Sequence, residues 1–321
     1  MLLKNFSKSE IKVTRLGFGT WGMGKGEWIG ADDKESLTVL RRAIDEGINF
    51  YDTALAYGEG HSEQLVGRAE KESGKKIFIA SKIPSKKMEW PASDSSSLEE
   101  SFPKDYIISS VEKSLKNLDR DHIDLMQFHV WNDKWADKDE WKEAVEKLKK
   151  EGKVKFWGIS INDHQPENGI EAGKTGLIDS YQVIFNIFEQ KPLEKLYPFC
   201  CENNIAIIAR VPFDEGALTG SINPDTTFPE GDWRNNYFSG DRKKEVKERT
   251  DKIWEEVKHE TESLAEAALR FIISFDGVTT VIPGMRKEKN LVSNISGVIK
   301  GGLSAELVEK LKDHRWDKNF Y

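Results

Sequence analysis

Eight short apolar runs, each separated from the next by a longer segment of mixed polarity, constrain the fold more than any other feature. They are rich in β-branched and aromatic residues and lie at 15–21, 48–52, 77–82, 122–130, 154–160, 179–186, 205–210 and 278–284. Several intervening segments have apolar residues at helical spacing, as at 33–47. Near-continuous apolar strands that alternate with helices are typical of a parallel sheet covered by helices. Eight such units favour a closed (β/α)8 TIM barrel of the α/β class over an open sheet.

Local signals refine this expectation. Pro103 suits the first position of a helix over 103–119, and Gly152 suits the C-cap of a helix over 139–152. The first residues predict an N-terminal β-hairpin that closes the barrel floor. The stretch 221–241, rich in Pro, Gly and Asn, predicts a long loop inserted between strands seven and eight, with helices at about 241–257 and 262–274 after it. Because no Gly/Ser linker divides the chain, we expect one domain over 1–321.

Composition excludes several classes of function. The chain has 321 residues and a net charge of −7, and its most basic stretch carries interleaved acids, which argues against nucleic-acid binding. Two adjacent cysteines, Cys200 and Cys201, cannot build a disulfide framework, so we expect a reducing cytoplasm. The N-terminus lacks the apolar core of a signal peptide, and no run has the length of a membrane span.

Charged and hydrogen-bonding residues stand where successive strands should end. The second run ends at Asp52, the third at Lys82 and the fourth at His129, and Tyr57 follows Asp52 in a turn. Taken singly, these residues have structural interpretations: a cap, a surface lysine, a core histidine and a loop aromatic. Because a barrel brings the carboxyl ends of all its strands to one rim, their joint occurrence predicts a catalytic site.

The chemistry of that set is specific. A tyrosine has an ordinary pKa of about 10, and an adjacent ammonium lowers it; lowering it to about 7 would need roughly 4 kcal/mol of differential interaction. An aspartate would keep the lysine charged, and a histidine could orient a carbonyl oxygen. The six histidines show no paired spacing with carboxylates like that of a zinc hydrolase, so no metal site is expected.

These motifs, in this order, resemble the aldo-keto reductase family. The resemblance rests on "DTALAYGEGHSEQLVGRA" (52–69), the lysine and histidine after strands three and four, "GIS" (158–160), "YQVIFN" (181–186) and "VIPGMRKEKNLVSN" (281–294). It implies a (β/α)8 barrel with a nicotinamide dinucleotide, usually NADPH, extended across the barrel mouth without a Rossmann domain. The absence of a G-x-G-x-x-G after a strand agrees with this.

The resemblance also implies roles for single residues. Tyr57 falls on the proton donor, Lys82 on the residue that lowers its pKa, Asp52 on the partner of that lysine, and His129 on the residue that directs the carbonyl. The implied cofactor contacts are Gly19, Thr20, Trp21, Asp52, Ser160, Asn162, Gln182, Arg210, Val211, Pro212, Phe213, Gly216, Leu218, Gly284, Arg286, Lys287, Asn290 and Asn294.

Within that set, Ser160 and Gln182 match residues that bind the nicotinamide carboxamide, while Asn162 is displaced by one position. The segment 209–220 should approach the pyrophosphate; Arg210 could add charge there, or pair with Asp214 or Glu215. The resemblance places Gly284, Arg286 and Lys287 in the stretch that meets the adenosine 2′-phosphate, and Asn294 at the adenine. Since a guanidinium fits a phosphate bidentately, NADP(H) is predicted to be preferred over NAD(H).

The substrate pocket is expected to be aromatic, which suits an apolar or sugar-ring carbonyl compound. Its predicted lining is Trp21, Trp28, Tyr57, Trp90, His129 and Trp131, with Trp233 and Tyr237 as candidates from the insertion. Three functions follow as hypotheses: an NADPH-dependent reductase of small aldehydes or ketones; a cofactor-sensing binding subunit of the same fold; and, more weakly, a hydrolase using Glu59 and Glu63. We expect a monomer or weak homo-oligomer.

Overall fold

The computed structural model describes residues 1–25, 29–93 and 95–317. An antiparallel hairpin of β1 (Leu3–Asn5) and β2 (Lys12–Thr14) precedes eight parallel strands in sequential order. These are β3 (Phe18–Gly19), β4 (Phe50–Asp52), β5 (Phe78–Ile83), β6 (Ile123–Phe128), β7 (Val154–Ser160), β8 (Ser180–Ile184), β9 (Ala206–Arg210) and β10 (Val278–Val281).

Two parallel bridges bring the first strand back to the last. Leu16 pairs with Val281 and Gly19 with Gly284, so the sheet curls on itself around an enclosed interior. Gly19 is required at this contact, because a Cβ there would lie 2.7 Å from the carbonyl oxygen of Ile282. The predicted (β/α)8 barrel with an N-terminal hairpin is confirmed.

Helices cover the outside of the sheet. They are α1 (Asp33–Asp45), α2 (His61–Ser73), α3 (Leu98–Ser101), α4 (Lys104–Leu118), α5 (Asp139–Lys150), α6 (Ile170–Gly173), α7 (Leu196–Asn203), α8 (Arg234–Tyr237), α9 (Arg242–Val257), α10 (Leu264–Ile273), α11 (Glu288–Val298) and α12 (Ala305–Lys312). Pro103 is the N-cap of α4, one position before the predicted one, and Gly152, with φ 72°, lies one residue past the Glu151 C-cap of α5. The insertion contains the short helix α8, where a loop was predicted.

The barrel interior has an apolar floor. Side chains alternate along each strand, so Phe50, Phe78 and Leu125 point inward while their chain neighbours pack against the helices. Phe6 of the hairpin closes this floor from below, with its ring centroid 4.7 Å from that of Phe78 and 5.0 Å from that of Phe156. The floor therefore shuts one end of the barrel and leaves the carboxyl ends of the strands as the open mouth.

Buried polar contacts hold the insertion against the mouth. The Tyr237 hydroxyl of α8 donates to Asp214 Oδ1 at 2.6 Å, and Arg242 at the start of α9 donates to Asp214 Oδ2 at 3.0 Å. The Arg242 guanidinium also lies 4.1 Å from the Tyr237 ring centroid. Within the described residues, no helix has the length and apolarity needed to cross a membrane.

Candidate active site

The predicted catalytic side chains share the inward-facing register of the floor. Asp52 comes two residues after Phe50, and Lys82 two residues after Ala80, on strands whose inward positions form the interior core. His129 continues the inward register of Leu125 at the end of β6. Period-two alternation therefore lifts all three to the mouth, directly above the apolar floor.

Lys82 is the centre of the site. Its ammonium is fully buried and lies 2.6 Å from Asp52 Oδ1, 2.8 Å from the carbonyl oxygen of Thr53 and 3.2 Å from the Tyr57 hydroxyl. It also sits 4.7 Å from the centroid of the Tyr57 ring. The structure thus brings Asp52, Tyr57 and Lys82 together as one hydrogen-bonded set.

Burial and charge oppose each other within this set. Burial acts to lower the pKa of Lys82, but Asp52 and Tyr57 together raise it above its ordinary value, so the ammonium keeps its proton. Burial raises the pKa of Tyr57, and the charge of Lys82 offsets this only in part. The expected lowering of the Tyr57 pKa is therefore not what the structure shows, because desolvation of the phenolate outweighs the neighbouring cation.

His129 faces the same mouth. Its ring centroid lies 5.7 Å from that of Tyr57, and Trp90 meets its ring edge-on at 4.3 Å and 89°. Burial, followed by the charges of Lys82 and Arg210, holds the pKa of His129 well below its ordinary value. The imidazole is therefore neutral near neutral pH.

A pair of glycines lets the loop after β3 pack against the turn that carries Tyr57. Gly58 adopts φ 63°, and a Cβ there would lie 1.9 Å from the carbonyl oxygen of Gly24. A Cβ on Gly24 would in turn meet the backbone of Tyr57 at 2.8 Å. The loop after β3 can therefore press against the turn before α2 only because both positions lack a side chain.

Gln182 and Ser160 stand beside this set, from β8 and β7. The Gln182 amide donates to Asp52 Oδ2 at 2.6 Å, so it orients the carboxylate that holds Lys82. Ser160 is buried, and its hydroxyl makes no hydrogen bond within the described part of the chain. Asn162 differs, because its side chain is engaged by the backbone of Trp131. The Trp131 N–H donates to Asn162 Oδ1 at 3.2 Å, and Asn162 Nδ2 donates to the Trp131 carbonyl oxygen at 2.9 Å, which indicates a structural role.

The carboxylates named for the hydrolase hypothesis do not reach the mouth. Glu63 is buried on the outer side of β5, where it accepts hydrogen bonds from Ser81 at 2.5 Å and Asn117 at 2.8 Å. Glu59 is exposed in the turn before α2. Across the described residues, no group of three His, Cys, Asp or Glu side chains could hold a metal ion.

Comparisons with known proteins identify the group to which this arrangement belongs. The profile of the Aldo/keto reductase family matches residues 15–315. The chain belongs to the aldo/keto reductase family. This is a family of oxidoreductases that act on carbonyl groups with nicotinamide cofactors.

Similar proteins span nearly all of the chain. Aldo-keto reductase YhdN from Bacillus subtilis (strain 168) is 32% identical over 294 residues, which cover 89% of this chain and 86% of the relative. The solved structure of a glycerol dehydrogenase from Gluconobacter oxydans matches with a TM-score of 0.81 and 29% identity, over 97% of this chain and 94% of that one. A probable voltage-gated potassium channel subunit beta from Arabidopsis thaliana is 26% identical, over 93% of this chain and 91% of the relative.

The segment after β9, which was predicted to approach the pyrophosphate, has a strained backbone. Val211, Asp214 and Glu215 adopt left-handed φ values of 52°, 46° and 56°, and Gly216 has φ 110°. A β-branched residue such as Val211 rarely takes this conformation. No local sequence signal predicted it for Val211 or Glu215, since only Gly216 and, to a lesser degree, Asp214 favour positive φ.

Arg210, for which pairing with Asp214 or Glu215 was left open, reaches the loop after β7. Its guanidinium donates to the Asp163 carboxylate and, at 3.1 Å, to the carbonyl oxygen of Ile161. Asp214 is occupied by Tyr237 and Arg242 instead. The ion pair joins β9 to the loop after β7, two elements that the sequence alone does not bring together.

The remaining predicted cofactor residues fall into two groups. Thr20 and Leu218 are buried, and the Thr20 hydroxyl is bonded to Asp52 O at 2.8 Å, so both residues stabilise the fold around the mouth. The residues that reach the surface of the rim are Trp21, Phe213, Gly216, Gly284, Arg286, Lys287 and Asn290, while Pro212 is buried among them.

Arg286 and Asn294 are the residues predicted to meet the 2′-phosphate and the adenine. Arg286 donates to the carbonyl oxygens of Gly22 and Ile29 at 3.4 and 3.3 Å, and burial followed by the charge of Arg234 lowers its pKa. Asn294 is buried, and its Nδ2 has no hydrogen-bond partner within the described residues.

The aromatic pocket predicted for the substrate is only partly present. Trp90 is 48% exposed beside His129, and Trp21 packs against Trp233 of the insertion at 5.6 Å. The prediction for Trp131 is wrong, because its indole is fully buried in the helix layer. Its ring centroid lies 5.2 Å from that of Phe128. It follows His129 by two residues, but the chain has already turned outward after β6.

Two further aromatic predictions have other outcomes. Tyr237 is buried, and its hydroxyl donates to Asp214, so it does not form a wall of the pocket. Trp28 lies outside the described residues.

Proposed function

We propose that this protein is an NADPH-dependent reductase of small aldehydes or ketones, with Tyr57 as the proton donor. One observation carries the proposal: a buried Lys82 joins the Asp52 carboxylate to the Tyr57 hydroxyl at the mouth, beside a neutral His129. A purely structural barrel has no need of a buried ammonium directed at a phenol, because burying a charge costs free energy unless the charge is used.

The proposed chemistry follows from the protonation states. Burial keeps Tyr57 protonated, so it can donate its hydroxyl proton to the oxygen of a carbonyl compound. Lys82 then stabilises the phenolate that forms. Asp52 holds Lys82 in place as its counter-ion, and Gln182 orients Asp52. The neutral imidazole of His129 orients the carbonyl oxygen toward Tyr57. Bound NADPH would supply the hydride for the carbonyl carbon.

Features of the chain's own residues support a nicotinamide dinucleotide. The strained backbone at 211–216 presents amide groups in a left-handed turn, a geometry suited to a pyrophosphate. Asn294 Nδ2 is a buried donor without a hydrogen-bond partner in the described part of the chain, as expected if it serves a base. Arg286 and Lys287 at the rim support the preference for NADP(H) through the 2′-phosphate.

The direct test compares Tyr57→Phe with the wild type in carbonyl-dependent NADPH oxidation over a panel of aldehydes and ketones. We expect turnover to fall by at least about a thousandfold while NADPH affinity, measured by fluorescence titration, stays within about twofold. Tyr106→Phe is the matched control, since it removes a phenol hydroxyl that bonds Pro84 O at 3.0 Å outside the mouth. Full activity of Tyr57→Phe would refute the assignment.

The cofactor preference has its own measurement. Arg286→Met should weaken NADPH binding by about tenfold or more and leave NADH binding nearly unchanged, because only NADPH carries the 2′-phosphate. Equal weakening of both cofactors would contradict the preference.

A cofactor-sensing binding subunit is the second candidate, and the similarity to a probable potassium channel β subunit is the finding that favours it. Such a protein would bind NADPH but turn over carbonyl substrates at a negligible rate. Wild-type turnover with any member of the panel decides between the two. The cytoplasmic location, the single domain and the monomeric or weakly associated state remain predictions.

A further inference from the structure

Arg210 points into the mouth of the barrel. On β9, Ala206 and Ile208 belong to the inward-facing floor, and Arg210 is the next residue in that register. Its side chain is 15% exposed, so the guanidinium is mostly withdrawn from bulk water.

Two contacts clamp that guanidinium in place. It donates to the carbonyl oxygen of Ile161 at 3.1 Å and to the carboxylate of Asp163, both in the loop after β7. Because β8 lies between β7 and β9, the side chain crosses the carboxyl end of β8. The backbone N–H of Ile161 also donates to Gln182 O at 2.9 Å, which connects the clamp to the residue that orients Asp52.

The charge of Arg210 is felt at the reacting groups. After burial and Lys82, it is the third cause that lowers the pKa of His129. It also acts to lower the pKa of Tyr57, against the larger effect of burial. A surface cation would be screened by salt, whereas a cation enclosed at the mouth keeps much of its field.

We propose that Arg210 is a positioning residue of the reduction site: clamped by Asp163 and Ile161, it supplies a positive charge at the mouth in addition to that of Lys82. That charge adds to burial and to Lys82 in keeping the imidazole of His129 neutral, and it favours the negative charge that develops on Tyr57 as its proton leaves. This role rests on the proposed reductase function. Among the described residues, Lys82 from β5 and Asp52 from β4 are the other charged groups that act on Tyr57, and Lys82 also acts on His129. Asp163 from the loop after β7 limits the field of Arg210 while holding it.

The first test reads His129 directly and needs no turnover. Histidine ring resonances of the folded protein are titrated by NMR, and the His129 signal is identified by its loss in His129→Asn. Arg210→Met should raise the pKa of His129 toward its ordinary value, Asp163→Asn should lower it further, and Arg210→Lys should stay near the wild type. An unmoved His129 titration in Arg210→Met overturns the proposal.

The second test is the pH dependence of kcat/KM for NADPH-dependent carbonyl reduction. Removing a positive charge raises the pKa of both His129 and Tyr57, so both limbs of the profile should move to higher pH in Arg210→Met. They should move to lower pH in Asp163→Asn. At neutral pH, kcat/KM of Arg210→Met should fall by roughly tenfold, the size expected for one charge across a partly screened mouth.

Other outcomes are separable from these. If Arg210→Met mainly weakens NADPH binding and leaves the His129 titration unchanged, Arg210 serves the cofactor and the proposal fails. If the wild type reduces no carbonyl compound, the proposed function fails, while the NMR titration still decides whether Arg210 acts on His129. If Arg210→Met does not fold, Arg210→Gln and Asp163→Asn decide through the same titration.

Discussion

At the scale of single residues, His129 is the group on which burial and charge act in the same direction. Its imidazole is 5% exposed, and the cations nearby, Lys82 and Arg210, add to the effect of burial in lowering its pKa. Tyr57 shows the opposite balance, since burial raises its pKa and the cations lower it. The environment of the mouth thus keeps the imidazole of His129 unprotonated and the hydroxyl of Tyr57 protonated. These are the two protonation states that proton donation to a carbonyl requires.

The lowered pKa of His129 makes the stability of the protein depend on pH. Below the ordinary histidine pKa of about 6.5, the unfolded chain binds a proton at this position that the folded protein does not bind. The free energy of unfolding should therefore fall as pH drops from about 6.5, by up to about 1.4 kcal/mol per pH unit from this group. Urea unfolding of the wild type and His129→Asn between pH 7.5 and 5 measures the effect. The same pH slope in both proteins would show that His129 contributes nothing.

At the scale of elements, the insertion is held by its contacts with the segment after β9. Asp214 is buried, and burial raises its pKa although Arg242 and Tyr237 both favour its charged form. Arg242 in turn is enclosed by aromatic rings, with the Trp316 ring centroid 5.3 Å away. The buried ion pair of Asp214 and Arg242 therefore joins the insertion to the strained segment, and the contact of Arg242 with Trp316 adds the C-terminal region.

Breaking one side of this pair should be costly. Arg242→Met leaves the Asp214 carboxylate buried with Tyr237 as its hydrogen-bond partner, and the free energy of unfolding should fall by about 3–5 kcal/mol. Asp214→Asn combined with Arg242→Met should cost less than the sum of the single changes, because no unpaired charge remains. Lys247→Met, in the exposed pair with Asp251 on the same helix, is the control and should show no measurable change. Additive losses in the double variant would contradict the buried pair.

At the scale of the whole molecule, the barrel separates stability from chemistry. The floor consists of aromatic and aliphatic side chains closed by the hairpin, and the mouth carries the charged residues. Both sets occupy the same inward-facing register, and distance along each strand decides which role a residue has. This division is typical of barrels, in which the amino ends of the strands serve stability.

Phe6 tests that division. Phe6→Ala should lower the free energy of unfolding by about 3–5 kcal/mol, because it empties a site among Phe50, Phe78 and Phe156. Leu3→Ala in the same hairpin, at a 55% exposed position, should change it by less than about 0.5 kcal/mol. For both variants, kcat and KM of the folded protein should match the wild type. A large loss of kcat in folded Phe6→Ala would show that the floor also shapes the mouth.

Much of the architecture could be predicted from the sequence because it is periodic. The eight strands and the helices α1, α9 and α10 follow from apolar spacing and turn residues. The set of Asp52, Tyr57, Lys82 and His129 could be predicted for the same reason, since strand ends converge on one rim whatever the details of packing.

The pairing of side chains across the mouth could not be predicted from periodic spacing. The choice of Asp163 by Arg210, the outward turn of Trp131 and the left-handed Val211 depend on residues far apart in the chain. The balance that raises the pKa of Tyr57 depends on burial, which exists only once the mouth is assembled. The sequence by itself determined the barrel and which chemical groups stand at its mouth, because both depend on local periodicity. Only the tertiary structure decided which groups pair, which are buried and which protons they keep, because those properties arise from long-range packing and the exclusion of water.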